Sequence, residues 1–170
     1  MNPIEMKGLI ELLNKCWMCH DGFWFFHTVQ QIGINHANSI NQAAIRSLAP
    51  LEIARIRKYL RLKKDGIENF QEFKDFFLKA SELFIPDFMN ATLSFPEENV
   101  LHWEFKPKEC FAYNGMQRIG VIEGYECGVI YRIACWVESL GIKFEVNPKI
   151  QRCCMIDSPY CSGNFTVYFP

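Results

Sequence analysis

The sequence predicts an α+β chain of 170 residues in a single domain (1–170), with a helical part over 1–86 and a small, mostly antiparallel sheet with inserted helices over 87–170. Three observations carry that prediction. Up to Phe84, apolar residues recur at intervals of three and four, the spacing of one helix face. After Pro86 the period drops to two, the spacing of a half-buried strand. Hydrophobic residues make up 49% of the chain and there are fifteen Phe, enough to fill a ring-rich core between helices and a sheet.

The first helix is expected from Pro3 to about Gln31, where Ile4, Leu9, Leu12, Leu13, Cys16 and Trp17 keep the helical spacing. Asp21-Gly22 is a kink or short break within it, and Gly33 ends it. "NHANSINQAAIRSL" reads as a second helix. Pro50 suits the first position of a third, "PLEIARIRKYLRL", in which Ile53, Ile56 and Leu60 share a face. Glu52 and Arg55, three apart, read as an ion pair on that helix surface. Asp65-Gly66 marks a turn before a fourth helix, "IENFQEFKDFFLKASELF", with Phe70, Phe73, Phe77 and Phe84 on one side.

In the second part, "FMNATLSF" and "NVLHWEFK" alternate as strands, and "PEEN" joins them as a hairpin connection. "ECFAYNGMQRIGV" is read as helix in its first part, and "CGVIYRIACWVESLG" as a helix stopped by Gly141. "IKFEV" and "NFTVYF" are the last two strands, separated by the segment from Cys153 to Cys161.

Composition narrows the function classes. A net charge of −1 gives no long-range field to attract nucleic acid or acidic membranes. The basic run "RIRKYLRLKK" is interrupted by Ile56, Tyr59, Leu60 and Leu62, so it reads as a solvated helix face. No apolar run approaches the ~20 residues that span a bilayer. "MNPIEMKGLIELLNK" has acidic groups early and no unbroken apolar stretch, so no secretory signal is expected and the protein is placed in the cytoplasm. Thiols stay reduced there, so the eight cysteines are metal ligands or buried groups rather than four disulfides.

Two regions carry candidate chemistry. Cys16-x-x-Cys19-His20 is the spelling of a c-type haem attachment, but the compartment is wrong for it, and no covalent haem is expected. Cys16 and Cys19 share a helix face with Leu12, Leu13 and Phe23 and are expected in the core. His20, beside Asp21 and before two aromatics, is a weak candidate general base. Neighbours on a helix point about 100° apart, so the plainer account is a helix kink with Asp21 as a cap. His20, Trp24, Phe25 and Trp103 are the candidate lining of a pocket for a small apolar or aromatic ligand.

In the second region Cys153 and Cys161 flank a turn containing Pro159. Cys127 precedes a helix, whose dipole favours its thiolate. Three thiolates need one further ligand for a closed tetrahedral zinc site, from Cys154, Cys110, Glu126 or Asp157. The alternative is that these are small buried hydrophobes beneath a turn. The signatures G-x-x-x-x-G-K-[ST], G-x-G-x-x-G, G-x-S-x-G and H-E-x-x-H are absent from the sequence.

"GVIEGYECGVIYRIACWVESLGIKFEV" followed by "CMIDSPYCSGNFTVYF" resembles the end of the 4-vinyl-reductase-type small-molecule-binding domain. Over its whole length the chain is similar to a family of prokaryotic cytosolic proteins of unassigned function with an "HDGLWF" motif. That motif is matched by His20-Asp21-Gly22-Phe23-Trp24-Phe25, while the family's usual "CPPD" turn is replaced by Cys153-Cys154 and Asp157. The resemblance implies the ligand-binding fold shared with haem nitric-oxide sensors and a Golgi tethering subunit. It also implies a zinc held by three cysteines and one Glu, as in phenol-sensing relatives. The cysteines map to Cys127, Cys153 and Cys161. The Glu position is Ile150 here, which leaves Cys154 as the substitute.

Three functions follow as expectations. The first is a small-molecule sensor or carrier with a structural zinc. The second is a small hydrolase or reductase-associated enzyme using His20 or a reactive cysteine. The third is a protein-interaction subunit, including a homodimer.

Overall fold

The computed structural model of the protein describes residues 3–62 and 66–169. The chain is α+β, as the patterning predicts: helices come first, then a small antiparallel sheet with helices inserted between its strands. The helices are α1 (Pro3–Ile32), α2 (Ile34–Tyr59), α3 (Phe70–Phe84), α4 (Phe111–Arg118) and α5 (Gly128–Ser139). The strands are β1 (Ala91–Ser94), β2 (Val100–Phe105), β3 (Lys143–Asn147) and β4 (Cys161–Tyr168). They pair antiparallel throughout, in the order β1-β2-β4-β3.

The first two helices depart from the sequence expectation. α1 runs through Asp21-Gly22 without a break. A helix-interior glycine costs only about 1 kcal/mol relative to alanine, and half-buried Trp17 and buried Phe25 hold the inner face on either side of it. Asp21 therefore caps nothing. Gly33 does separate the helices, at a φ of 81° that favours glycine. The expected second and third helices are one, because α2 carries Pro50 in its interior. Pro50 leaves the Arg46 carbonyl without its helical donor. The neighbouring Ala49, Glu52, Ile53 and Ile56 are all buried, and that packing holds the helix across the gap. Of the Asp65-Gly66 turn, Asp65 lies outside the described residues, while Gly66 is in a bend.

α3 begins where Asn69 accepts a hydrogen bond from the Glu72 amide, a side-chain N-cap that shortens the expected helix by three residues. Phe73, Phe76 and Phe77 of α3 are buried, with Phe70 and Phe84 at the margins. Rings continue the core outward: Phe73 lies 4.6 Å from Phe77, and Phe84 meets Trp136 of α5 at 5.3 Å.

α2 packs along α5, and α1 along α2. The polar centre of this stack is Glu52, which is buried and pairs with Arg132 of α5 rather than with Arg55 as its spacing suggests. Its carboxylate accepts from Arg132 Nε at 3.0 Å and from Trp136 Nε1 at 2.7 Å, with a further bond from an Arg132 terminal nitrogen. The Arg132 guanidinium lies over the Trp17 ring of α1 at 4.5 Å and near Phe84 of α3 at 5.7 Å. One cation thus touches four helices.

The start of α5 is set close against α2. Buried Asn38 donates to the Gly124 carbonyl at 2.7 Å and accepts from the Glu126 amide at 3.2 Å. A side chain at Gly128 would meet Asn41 at 2.8 Å and Ile45 at 3.0 Å, so glycine permits the approach.

In the sheet, fully buried Trp103 of β2 lies opposite Gly163 of β4. A Cβ at Gly163 would fall 2.4 Å from the indole and 2.6 Å from the Asn147 carbonyl. Only hydrogen fits there. Gly163→Ala is predicted to cost about 3 kcal/mol, the upper end for overpacking a core. Urea denaturation measures it, and an unchanged midpoint would contradict the packing account.

Candidate functional site

Five cysteines gather where the helix starts of the second part meet β4. Cys110 precedes α4, Cys127 precedes α5, and Cys153 precedes a short 3₁₀ turn, Cys154–Ile156. Each sits at an N-cap position, where backbone N–H groups lack helical partners. The amides of Ala112 and Tyr113 favour a Cys110 thiolate, those of Val129 and Ile130 a Cys127 thiolate, and that of Met155 a Cys153 thiolate.

Burial outweighs these amides. Loss of solvent pushes the Cys127 thiol up to about 12, and the charges of Cys110 and Cys153 push the same way. Burial also raises Cys110 and Cys153. The expected dipole-activated thiolate at Cys127 is thus corrected, because desolvation of this half-buried thiol exceeds what a helix N-terminus returns.

Cys154 behaves differently. It is half-buried, and a hydrogen bond from the Cys161 thiol pulls its own thiol down to about 7, against the opposing effect of burial. Cys161 is pushed up by that bond first and by burial second. The buried indole Nε1 of Trp103 makes no hydrogen bond to nitrogen or oxygen. It faces the Cys161 sulfur and favours negative charge there. Lys108 ties the loop in place, its ammonium donating to the Met155 carbonyl and its amide to the Pro159 carbonyl at 3.0 Å.

The structure thus brings Cys127, Cys153, Cys154 and Cys161 into one neighbourhood, with Cys110 as a fifth member. Among the described residues no group of three or more His, Cys, Asp or Glu side chains is placed to hold a metal ion, and Ile150 brings no donor to the fourth position.

Beside the cluster lies an open cleft of about 460 Å³, lined by Gln42, Glu126, Cys127, Tyr131, Ile150 and Gln151. Gln42 of α2 donates to the Glu126 carboxylate across it, and Arg46 donates to the Tyr131 hydroxyl at 3.0 Å. Sequence reasoning noted Glu126 and Ile150 but missed Gln42 and Tyr131. The signal was present in the polar positions Asn38, Gln42 and Arg46, which recur every four residues and all face the start of α5.

The four predicted pocket residues do not meet. His20 and Trp24 are exposed on the outer face of α1, Phe25 is buried edge-on against Tyr125 at 5.6 Å, and Trp103 is inside the sheet core. His20 Nδ1 is 3.9 Å from Asp21 Oδ1, both side chains well exposed, too long for an oriented base. Partial burial pushes the Asp21 carboxyl up, with the charges of Arg132 and His20 opposing it. Cys16 and Cys19 are exposed rather than in the core, because the inner face of α1 is turned toward Trp17 and Phe25.

Residues 4–154 match a family described as a family of unknown function, DUF6125. No curated protein matches the chain. No solved structure matches it.

The thiol chemistry is testable directly. Iodoacetamide is predicted to modify Cys154 ahead of Cys110, Cys127 and Cys153, with a rate rising through a midpoint near pH 7. Cys161→Ala, which removes the donor, moves that midpoint upward. Mass mapping of the alkylated peptides checks both, and equal rates at all four thiols would contradict the assignment.

Proposed function

The chain belongs to this family of unknown function, which brings no activity with it, and we propose that the protein is a small-molecule-binding domain, a sensor or carrier, whose ligand enters the cleft at the start of α5. The observation that supports this reading is position. Cys127 and Ile150 border the cleft, and these are the positions to which the resemblance to the 4-vinyl-reductase-type domain assigns a metal thiolate and its carboxylate partner. Where that carboxylate is replaced by Ile150, the neighbouring Glu126 and Gln42 supply polar groups instead. Tyr131 and Ile150 offer an apolar wall, and Glu126, Gln42 and Gln151 offer hydrogen bonds. That lining suits a small aromatic ligand bearing a hydrogen-bond donor. A cytoplasmic location, with reduced thiols around the site, accords with this reading.

A second reading, a small thiol enzyme, is favoured by the depressed Cys154 and its partner Cys161. In it, Cys154 is the nucleophile and Cys161 the group that stabilises its thiolate.

Amide chemical shifts on titration with phenol and aniline separate the two. The binding reading predicts shifts concentrated at Glu126–Tyr131 and Ile150–Gln151, with a Kd of ~1 mM, the range for so small a probe. Glu126→Ala weakens aniline binding about tenfold, roughly 1.4 kcal/mol. Shifts scattered over the surface, or none, would sink the binding reading and leave the thiol enzyme.

A further inference from the structure

The outer face of α1 is apolar and uncovered. Leu9, Leu12, Leu13, Cys16, Phe23 and Trp24 all face solvent, with Phe23 and Trp24 about two-thirds exposed at 65% and 67%. Aromatic side chains bury 150–250 Å² each, so these two present on the order of 250 Å² together. With the leucines the strip reaches roughly 500 Å², at the upper end of what a monomer leaves in water.

We infer that this face pairs with the same face of a second copy, in an antiparallel helix pair centred on Cys16. Three features select that occupant. Leu9, Cys16 and Phe23 are seven residues apart, the repeat of a helix-pairing seam. The strip is self-complementary about Cys16: antiparallel pairing sets Leu9 opposite Phe23 and Leu13 opposite Cys19 of the other copy, so apolar side chains meet apolar ones. Antiparallel pairing also keeps the two Glu5 carboxylates apart, whereas parallel pairing would set Glu5 against Glu5.

A membrane surface or an ionic partner fits less well. At the helix period Glu11, Lys15 and Asp21 fall outside the strip, and Lys15 pairs with Glu11 at 2.5 Å. No basic belt accompanies the apolar residues, as an interfacial membrane helix requires. Two copies of the strip would bury roughly 1,000 Å² in total, the lower bound for a specific interface. Two-fold closure caps the strip completely, because each copy offers the same patch.

Sedimentation velocity on the full chain from micromolar to 100-fold higher concentration tests the pairing, with diamide cross-linking to fix its register. The expected result is a dimer whose dissociation constant rises at least a hundredfold in Phe23→Glu. Both side chains point to solvent, so the variant keeps its fold, which circular dichroism verifies. Leu13→Glu is the second variant on the same face. Diamide is expected to yield a disulfide-linked dimer that Cys16→Ser abolishes and Cys19→Ser retains. A monomer at every concentration, or a dimer indifferent to both glutamate variants, overturns the inference. A cross-link that requires Cys19 overturns the antiparallel register.

Discussion

Everything in the helical half is organised around one partly buried cation. Arg132 enters from α5, gives two hydrogen bonds to Glu52 of α2, and lies against rings from α1, α3 and its own helix. Trp136 completes the carboxylate with a third donor, so neither oxygen of Glu52 depends on water. A buried ion pair does not repay its desolvation by attraction alone. Here both carboxylate oxygens accept hydrogen bonds and the cation lies near three aromatic rings, which adds favourable contact to the guanidinium. Displacing any one of the four helices would strip a partner from the others, so the arrangement favours one docking register.

That register fixes the start of α5, and the start of α5 is where the chemistry lies. Asn38 and Gly128 bring the helix end against α2, which sets Glu126 opposite Gln42 and Cys127 at the floor of the cleft. From the other side the sheet delivers Cys161 under Trp103, while the Lys108 loop presses the Cys153-Cys154 turn onto it. Five sulfurs are gathered, but their environments differ. Four are favoured as thiols, by burial or by the hydrogen bond to Cys154, and among these five Cys154 alone is drawn toward thiolate. The direction of each shift follows from solvent access and from which sulfur accepts the hydrogen bond.

Much of the architecture could be read from residue order. The change of period at Pro86, the phenylalanine face of α3, Gly33 and Gly141 as helix ends and the four strands all reflect local patterning, which one chain carries in full. What could not be read depends on partners distant in sequence. Pro50 is a good helix start in isolation, and only the buried residues on both sides show why α2 passes through it. Glu52 has Arg55 at the right spacing, yet Arg132, eighty residues away, takes it. Spacing and resemblance group the cysteines of the second part, but thiol ionisation depends on burial, which spacing does not encode. The pocket residues failed for the same reason, since an aromatic can serve a core, a surface or a ligand with equal sequence plausibility.

The measurement that tests the central claim most directly is a double-mutant cycle on Glu52→Ala and Arg132→Ala by chemical denaturation. If the ion pair sets the docking of α5 on α2, each single change strands a buried partner and costs about 3 kcal/mol. The double variant then costs about 4 kcal/mol, well short of the sum of the two, a coupling of about 2 kcal/mol. Costs that simply add would show that the two residues act independently, and would contradict the claim that their contact organises the helices.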